Sequence, residues 1–233
     1  MSDNLDFERA WLQKFSACLE QVAGGEIAGQ VLAGSEKLSM DSSRAEVIGW
    51  SRRAMGRLDS LVDEPARREI MTGCACQVPK ADLAEARQLW EATGDLDRVH
   101  GLLQARFESF LENVLQLDGA LIQEIVAHGW GMAGLRQGNT IIATKIPKSG
   151  FLVEYMQETD PQVKRQYYCH CPRIREVLQG GETISATYCY CGAGYYQGIW
   201  EEILQKPVEV ELLASVLRGD EVCQVAVHLP LAN

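Results

Sequence analysis

The residues of this chain best suited to chemistry are its eight cysteines, six of which fall into three Cys-x-Cys pairs: Cys74-Ala75-Cys76, Cys169-His170-Cys171 and Cys189-Tyr190-Cys191. The last two pairs sit in near-repeats, YYCHC and TYCYC, each led by an aromatic; Cys18 and Cys223 stand outside the pattern. Two thiolate pairs can surround one ion, and soft sulfur ligands select zinc or an iron–sulfur cluster. Cys169, Cys171, Cys189 and Cys191 are therefore the expected metal ligands. Cys74, Cys76 and Cys223 are additional thiols, free to ligate or to attack an electrophile. The competing reading is plain packing, because free cysteine is among the most buried residue types. Three repeats of the same spacing argue against packing alone.

The elements that must position these thiols can be read from the flanks. Pro172 follows Cys171 and leads into Ile174, Val177 and Leu178. Gly192 follows Cys191 and leads into Tyr196, Ile199, Trp200 and Ile203. Both pairs are thus placed at helix starts, where unpaired N–H groups and the helix dipole favour a thiolate. The preceding QYY and ISATY read as strands, so each repeat is expected to run strand, Cys-x-Cys, helix, with both thiols on one side. On such a strand His170 points away from its cysteine neighbours. Helix N-termini gathered at one end of a sheet predict a pocket lined by Tyr188, Tyr195, Tyr196 and Trp200, with Gly192 and Gly194 allowing close backbone approach. Core filling is the alternative role for these aromatics.

From Asp3 to about His128 the pattern is helical, opening with Phe7, Trp11, Phe15, Cys18, Leu19 and Val22 on one face. Cys18 reads as core. A cap signal at Asp41-Ser42-Ser43 starts a second helix, a short one runs from Pro65 towards Gly73, and Gly94 and Asp95 separate two more. His100, on the last of these, reads as surface or satisfied core. From Thr140 the texture turns to strands: TIIATKI with FLVEYM as one hairpin, and VEVELLASV with VCQVAVHL as another. In the last strand Cys223, Val225, Val227 and Leu229 should face inward and His228 outward. Gly129-Trp130-Gly131-Met132-Ala133-Gly134 has the letters of a dinucleotide fingerprint but follows a helix and precedes a strand, the reverse of what that site needs. It reads as a connection.

The expected architecture is one α+β domain over residues 1–233, a mainly helical part (1–130) packed on a twisted antiparallel sheet within 139–233 that carries the Cys-x-Cys pairs. A hydrophobic content of 46% suits a buried core, and a net charge of -10 argues against nucleic acid as a partner. No leader pattern and no apolar run of about 18 residues is present, so a cytoplasmic protein with reduced thiols and no membrane contact is expected.

The run YCYCGAGYYQGIWEEILQKPVEVELLASVLRGDEVCQVAVHLP resembles the 4-vinyl-reductase domain and the related L-2-amino-thiazoline-4-carboxylate (ATC) hydrolase-like proteins. The resemblance rests on Cys189 or Cys191 before the helix, Gly219-Asp220 in the turn and Cys223 in the last strand, and covers Tyr188 to Pro230. It implies a fold shared with TRAPP vesicle-tethering subunits and a small-molecule-binding role, in some members with thiol or zinc dependence. Val225 stands where an aromatic is usual. The combined expectation is a cysteine-rich, zinc-binding domain for a small-molecule ligand. Two alternatives stay open: a thiol- or metal-dependent hydrolase of a cyclic amide or thiazoline, and a redox switch in which a Cys-x-Cys pair closes into a disulfide.

Overall fold

The computed structural model describes residues 2–39 and 41–230, without the side chains of 2–8, 149 and 172. Six helices come first: α1 (Ser2–Leu32), α2 (Arg44–Leu61), α3 (Glu64–Gly73), α4 (Lys80–Thr93), α5 (Leu96–Asn113) and α6 (Gly119–Ala127). On α1, Trp11, Phe15 and Leu19 are buried while Cys18 and Val22 are partly covered on the same face; the side chain of Phe7 lies outside the described ones. The helix starts are set by short polar side chains. Ser43 and Glu46 form a reciprocal capping box on α2, with the Glu46 carboxylate accepting the Ser43 N–H at 2.7 Å. Asp63, Asp95 and Asp118 accept first-turn N–H groups of α3, α5 and α6. Each such cap stabilises its helix by about 1 kcal/mol.

Next come β1 (Leu135–Gln137) and β2 (Thr140–Thr144), then α7 (Leu152–Gln157), α8 (Pro161–Tyr168), α9 (Pro172–Gln179) and α10 (Tyr190–Leu204), and finally β3 (Glu209–Ala214) and β4 (Gln224–His228). The four strands form an antiparallel sheet in the order β1-β2-β4-β3. The sequence-expected terminal hairpin is β3 and β4. Cys223, Val225, Val227 and Leu229 are buried and His228 is exposed; Ala226, on the alternate face, is buried too. The fold is α+β, with helices over an antiparallel sheet. One core runs from Trp11, Leu58 and Leu103 through Trp200 to Val225 and Val227.

Three local expectations are corrected. FLVEYM is not the second strand of a hairpin: β2 pairs instead with β1 and β4, and Leu152–Gln157 is helical. A strand would put Phe151, Val153 and Tyr155 on one face, whereas Leu152 and Tyr155 are buried and Val153 is exposed, a helical spacing. QYY is the last turn of α8, because Asp160 caps Gln162 and Val163 and Pro161 starts the helix, overriding the β preference of the tyrosines. ISATY leads into a 3-10 turn, Ala186–Cys189, capped by Ser185 through Thr187 N–H. The cysteine pairs therefore do stand at helix starts, but helix and 3-10 turn precede them, not strands.

Candidate functional site

A cavity of about 560 Å³ opens where these segments meet. Its walls come from Trp11 on α1, Cys76 after α3, Phe107 and Phe110 on α5, Lys145 and Ile146 after β2, Cys169, His170 and Cys171 between α8 and α9, the stretch Tyr188 to Tyr196, and Leu212, Cys223 and Val225 at the sheet. Six of the eight cysteines line it: Cys76, Cys169, Cys171, Cys189, Cys191 and Cys223. Of the residues predicted to line a pocket, Tyr188, Gly192, Tyr195 and Tyr196 do. Trp200 is fully buried in the core, and Gly194 faces away, against Thr72. A second depression, of about 680 Å³ beside α3 and α10, is lined by Glu69, Gln77, Gln197, Glu201 and Glu202 and holds none of the cysteines.

The backbone around the cavity is clamped by Tyr168. Its hydroxyl donates to the Lys145 carbonyl and accepts the Cys223 N–H at 2.8 Å, while Lys145 N–H donates to the Cys223 carbonyl at 2.9 Å. Tyr168 itself is fully buried. The end of β2 and the start of β4 are thereby held together beside Cys169. Sequence reasoning passed over Lys145, which ends the strand-like TIIATK without any recognisable motif.

Opposite, Trp11 stacks on Tyr188 with centroids 5.5 Å apart, and the Arg173 guanidinium lies 4.3 Å from the Trp11 ring centroid while donating to the Tyr188 hydroxyl at 3.1 Å. The same hydroxyl is 3.5 Å from Cys171 Sγ. His170, partly exposed, donates Nε2–H to the Ile146 carbonyl at 2.9 Å and so is held at the rim. His100 donates to the Gly134 carbonyl at 3.1 Å, away from the cavity walls.

The Cys74 thiol donates to the Met71 carbonyl at 3.3 Å. Cys189 and Cys223 both line the cavity. Hydrogen bonding from Cys74, helped by the Lys145 charge and the Cys76 N–H, brings Cys191 down to about 7, against the pull of burial. Nε1 of Trp11, buried and without a conventional hydrogen-bond partner among the described residues, adds to this. The polarity is physically consistent: Cys191 lies in the first turn of α10, the positive end of a helix, and Cys74 at the negative end of α3. Cys223 is likewise brought to about 7 by the Cys189 hydrogen bond, Lys145 and the Val216 N–H. Burial pushes Cys169 up to about 12.

Lys145 is the counter-charge of this arrangement. Burial opposes its charge, but Cys169, Cys223, Cys191 and Cys171 around it outweigh that and hold its pKa above the usual lysine value. No carboxylate pairs with it among the described residues, and no aspartate or glutamate lines the cavity. Nor, among the described residues, do any three Cys, His, Asp or Glu side chains converge closely enough to hold a metal ion. Cys169, Cys171, Cys189 and Cys191, the expected metal ligands, all line the cavity.

Helices over an antiparallel sheet, enclosing an apolar cavity walled by cysteines around one lysine, define an α+β protein built around a thiol-rich chamber. The model of the family of unknown function DUF6144 matches residues 115–231, half of the chain, and the chain belongs to that family. The matched span carries Lys145 and five of the cavity cysteines; Trp11, Cys76 and Phe107 come from outside it. No curated protein and no solved structure matches the chain. No described helix is long and apolar enough to cross a membrane.

Proposed function

We propose that this protein binds a small, flat, apolar molecule bearing one anionic group, with the apolar body against Phe107, Tyr188, Tyr195 and Tyr196 and the anion at Lys145. The observation that carries this reading is a 560 Å³ cavity, the size of an ordinary ligand site, in which an ammonium group faces no carboxylate among the described residues. A charge-assisted contact in an apolar enclosure is worth more than one in water, so the anion would fix both affinity and orientation. The resemblance of the C-terminal third to 4-vinyl-reductase domains points the same way. Zinc at the cysteine wall is the second reading, favoured by the gathering of six cysteines; it requires several sulfurs to turn inward from the arrangement described, and metal analysis of protein purified without added zinc tests it.

Isothermal titration with 2-naphthoate and its neutral isostere 2-naphthamide tests the binding reading. The carboxylate should bind at least about tenfold more tightly than the amide, a difference of about 1.4 kcal/mol, and Lys145→Gln should make the two alike. Absence of binding by either compound, or an unchanged preference in Lys145→Gln, would refute it.

A further inference from the structure

We infer that Cys171 is a covalent capture site, its sulfur adding to the carbon–carbon double bond of a flat aryl enone that carries a carboxylate. The inference deepens the binding reading and rests on it for the anion at Lys145.

The sulfur of Cys171 lies 3.5 Å from the Tyr188 hydroxyl. Arg173 donates to the oxygen of that hydroxyl at 3.1 Å, which polarises the O–H and makes it the donor towards the sulfur. Cys171 is the cap residue of α9, yet its sulfur takes no cap hydrogen bond and lines the cavity instead. Cys169, on the same segment, is buried, whereas Cys171 is partly exposed.

The segment carrying Cys171 is tied at three points to the strand end carrying Lys145. Tyr168 donates its hydroxyl to the Lys145 carbonyl, Lys148 N–H donates to the Tyr168 carbonyl at 3.0 Å, and His170 donates to the Ile146 carbonyl at 2.9 Å. Sulfur and ammonium therefore serve one cavity from adjoining segments, and a single small ligand spans both. Trp11 supplies a third contact. Its ring lines the cavity and stacks on Tyr188 with centroids 5.5 Å apart, and its buried Nε1–H has no conventional hydrogen-bond partner among the described residues. A buried donor of this kind calls for an acceptor, and a ketone oxygen on the ligand supplies one. The ligand class follows: a carboxylate for Lys145, a ketone for Trp11 and, conjugated with it, an alkene carbon for Cys171.

The reaction balances without a co-reactant. Cys171 gives its proton to solvent, and the thiolate, held by the Tyr188 O–H, attacks the alkene carbon β to the ketone. The S–C bond forms, the π pair of the double bond moves to give an enolate, and the enolate oxygen meets Trp11 Nε1–H. A proton from solvent then adds at the α carbon. One thiol and one enone thus give one thioether ketone, and no electron donor or acceptor is consumed.

The test treats the full-length reduced protein with one equivalent of (E)-4-oxo-4-phenylbut-2-enoate. Intact mass should rise by one probe, and tandem mass spectrometry of the tryptic peptide 166–173 should place it on Cys171. Cys171→Ser should abolish this adduct, Cys76→Ser should leave it unchanged, and 2-naphthoate should slow its formation by occupying the cavity. Tyr188→Phe should lower the rate at saturating probe by at least about tenfold, as expected for the loss of one hydrogen bond to a charged group. The half-saturating concentration should stay the same, because Tyr188 acts on the sulfur and not on the probe. Addition chiefly at any other cysteine would overturn the inference. So would an unchanged saturating rate in Tyr188→Phe, or a half-saturating concentration shifted as much as the rate. The adduct map of the unsubstituted chain decides even where a variant fails to fold. Failure of the binding reading has a separate signature: the probe and its neutral amide, 4-oxo-4-phenylbut-2-enamide, would share one half-saturating concentration while both still added at Cys171.

Discussion

Gly194 lies directly on the backbone of Thr72: a Cβ at position 194 would fall 2.1 Å from the Thr72 carbonyl oxygen and 2.6 Å from its Cα. The obstacle is main chain, which cannot rotate aside, so only glycine lets α10 approach α3 this closely. We expect Gly194→Ala to cost about 3 kcal/mol or more, at the upper end for overpacking, by calorimetry or denaturant titration. An unchanged melting temperature would mean that the two helices have room to spare.

Tyr168→Phe removes one oxygen that serves two backbone segments. The buried Cys223 N–H loses its acceptor and the Lys145 carbonyl its donor, while the ring stays packed. Leaving such groups unsatisfied costs about 1–3 kcal/mol. Chemical denaturation should show a lower midpoint with an unchanged slope.

Thiol reactivity should divide the cysteines by pH. The thiolate is the reacting form, so a lowered pKa moves the onset of alkylation to lower pH. Cys191 and Cys223, at about 7, should be alkylated by iodoacetamide at rates that rise through neutral pH and level off above it. Cys169, at about 12, should stay slow throughout that range. In Lys145→Gln the onset for Cys191 and Cys223 should shift upward, since an attractive charge is lost from beside each thiolate. Peptide-resolved alkylation from pH 5 to 10 measures this, and identical profiles for Cys169 and Cys191 would contradict it.

Gly131 shapes the cavity from the other side. Its φ is 95°, in the left-handed region, and a Cβ there would stand 2.6 Å from the Phe107 ring. Gly131→Ala should therefore destabilise by about 1–3 kcal/mol through both backbone strain and the clash. Phe107→Leu in the same chain should recover the steric part and leave the strain, so the double variant should be less destabilised than the sum of the singles.

Much of the helical half was legible from local signals. The cap signal at Ser43, the stop at Gly94 and the cap at Asp95 set the start of α2, the end of α4 and the start of α5 because capping and turn chemistry are decided within a few residues. The β3–β4 hairpin was legible in the same way, from alternation on either side of a turn. FLVEYM and QYY were misread because short aromatic and β-branched runs fit either structure, and their caps and burial, not their propensity, settled it.

For the site, the cysteine spacing and the Pro172 and Gly192 flanks marked two helix starts as the chemically loaded positions, and residue type and local geometry suffice for that. Which cysteines come to share one cavity is a different kind of fact. Thr72, two residues before Cys74, lies against Gly194 of α10, and Tyr168 pins the start of β4 and with it Cys223. Lys145 becomes the charge at the centre because β2 ends among four cysteines drawn from separate parts of the chain. Such contacts join residues far apart in sequence, and their energy depends on distances that no local pattern encodes. The chain alone therefore determined a thiol-rich α+β protein with loaded helix starts. Only tertiary packing decided which cysteines share the cavity, the lysine among them and the space they enclose.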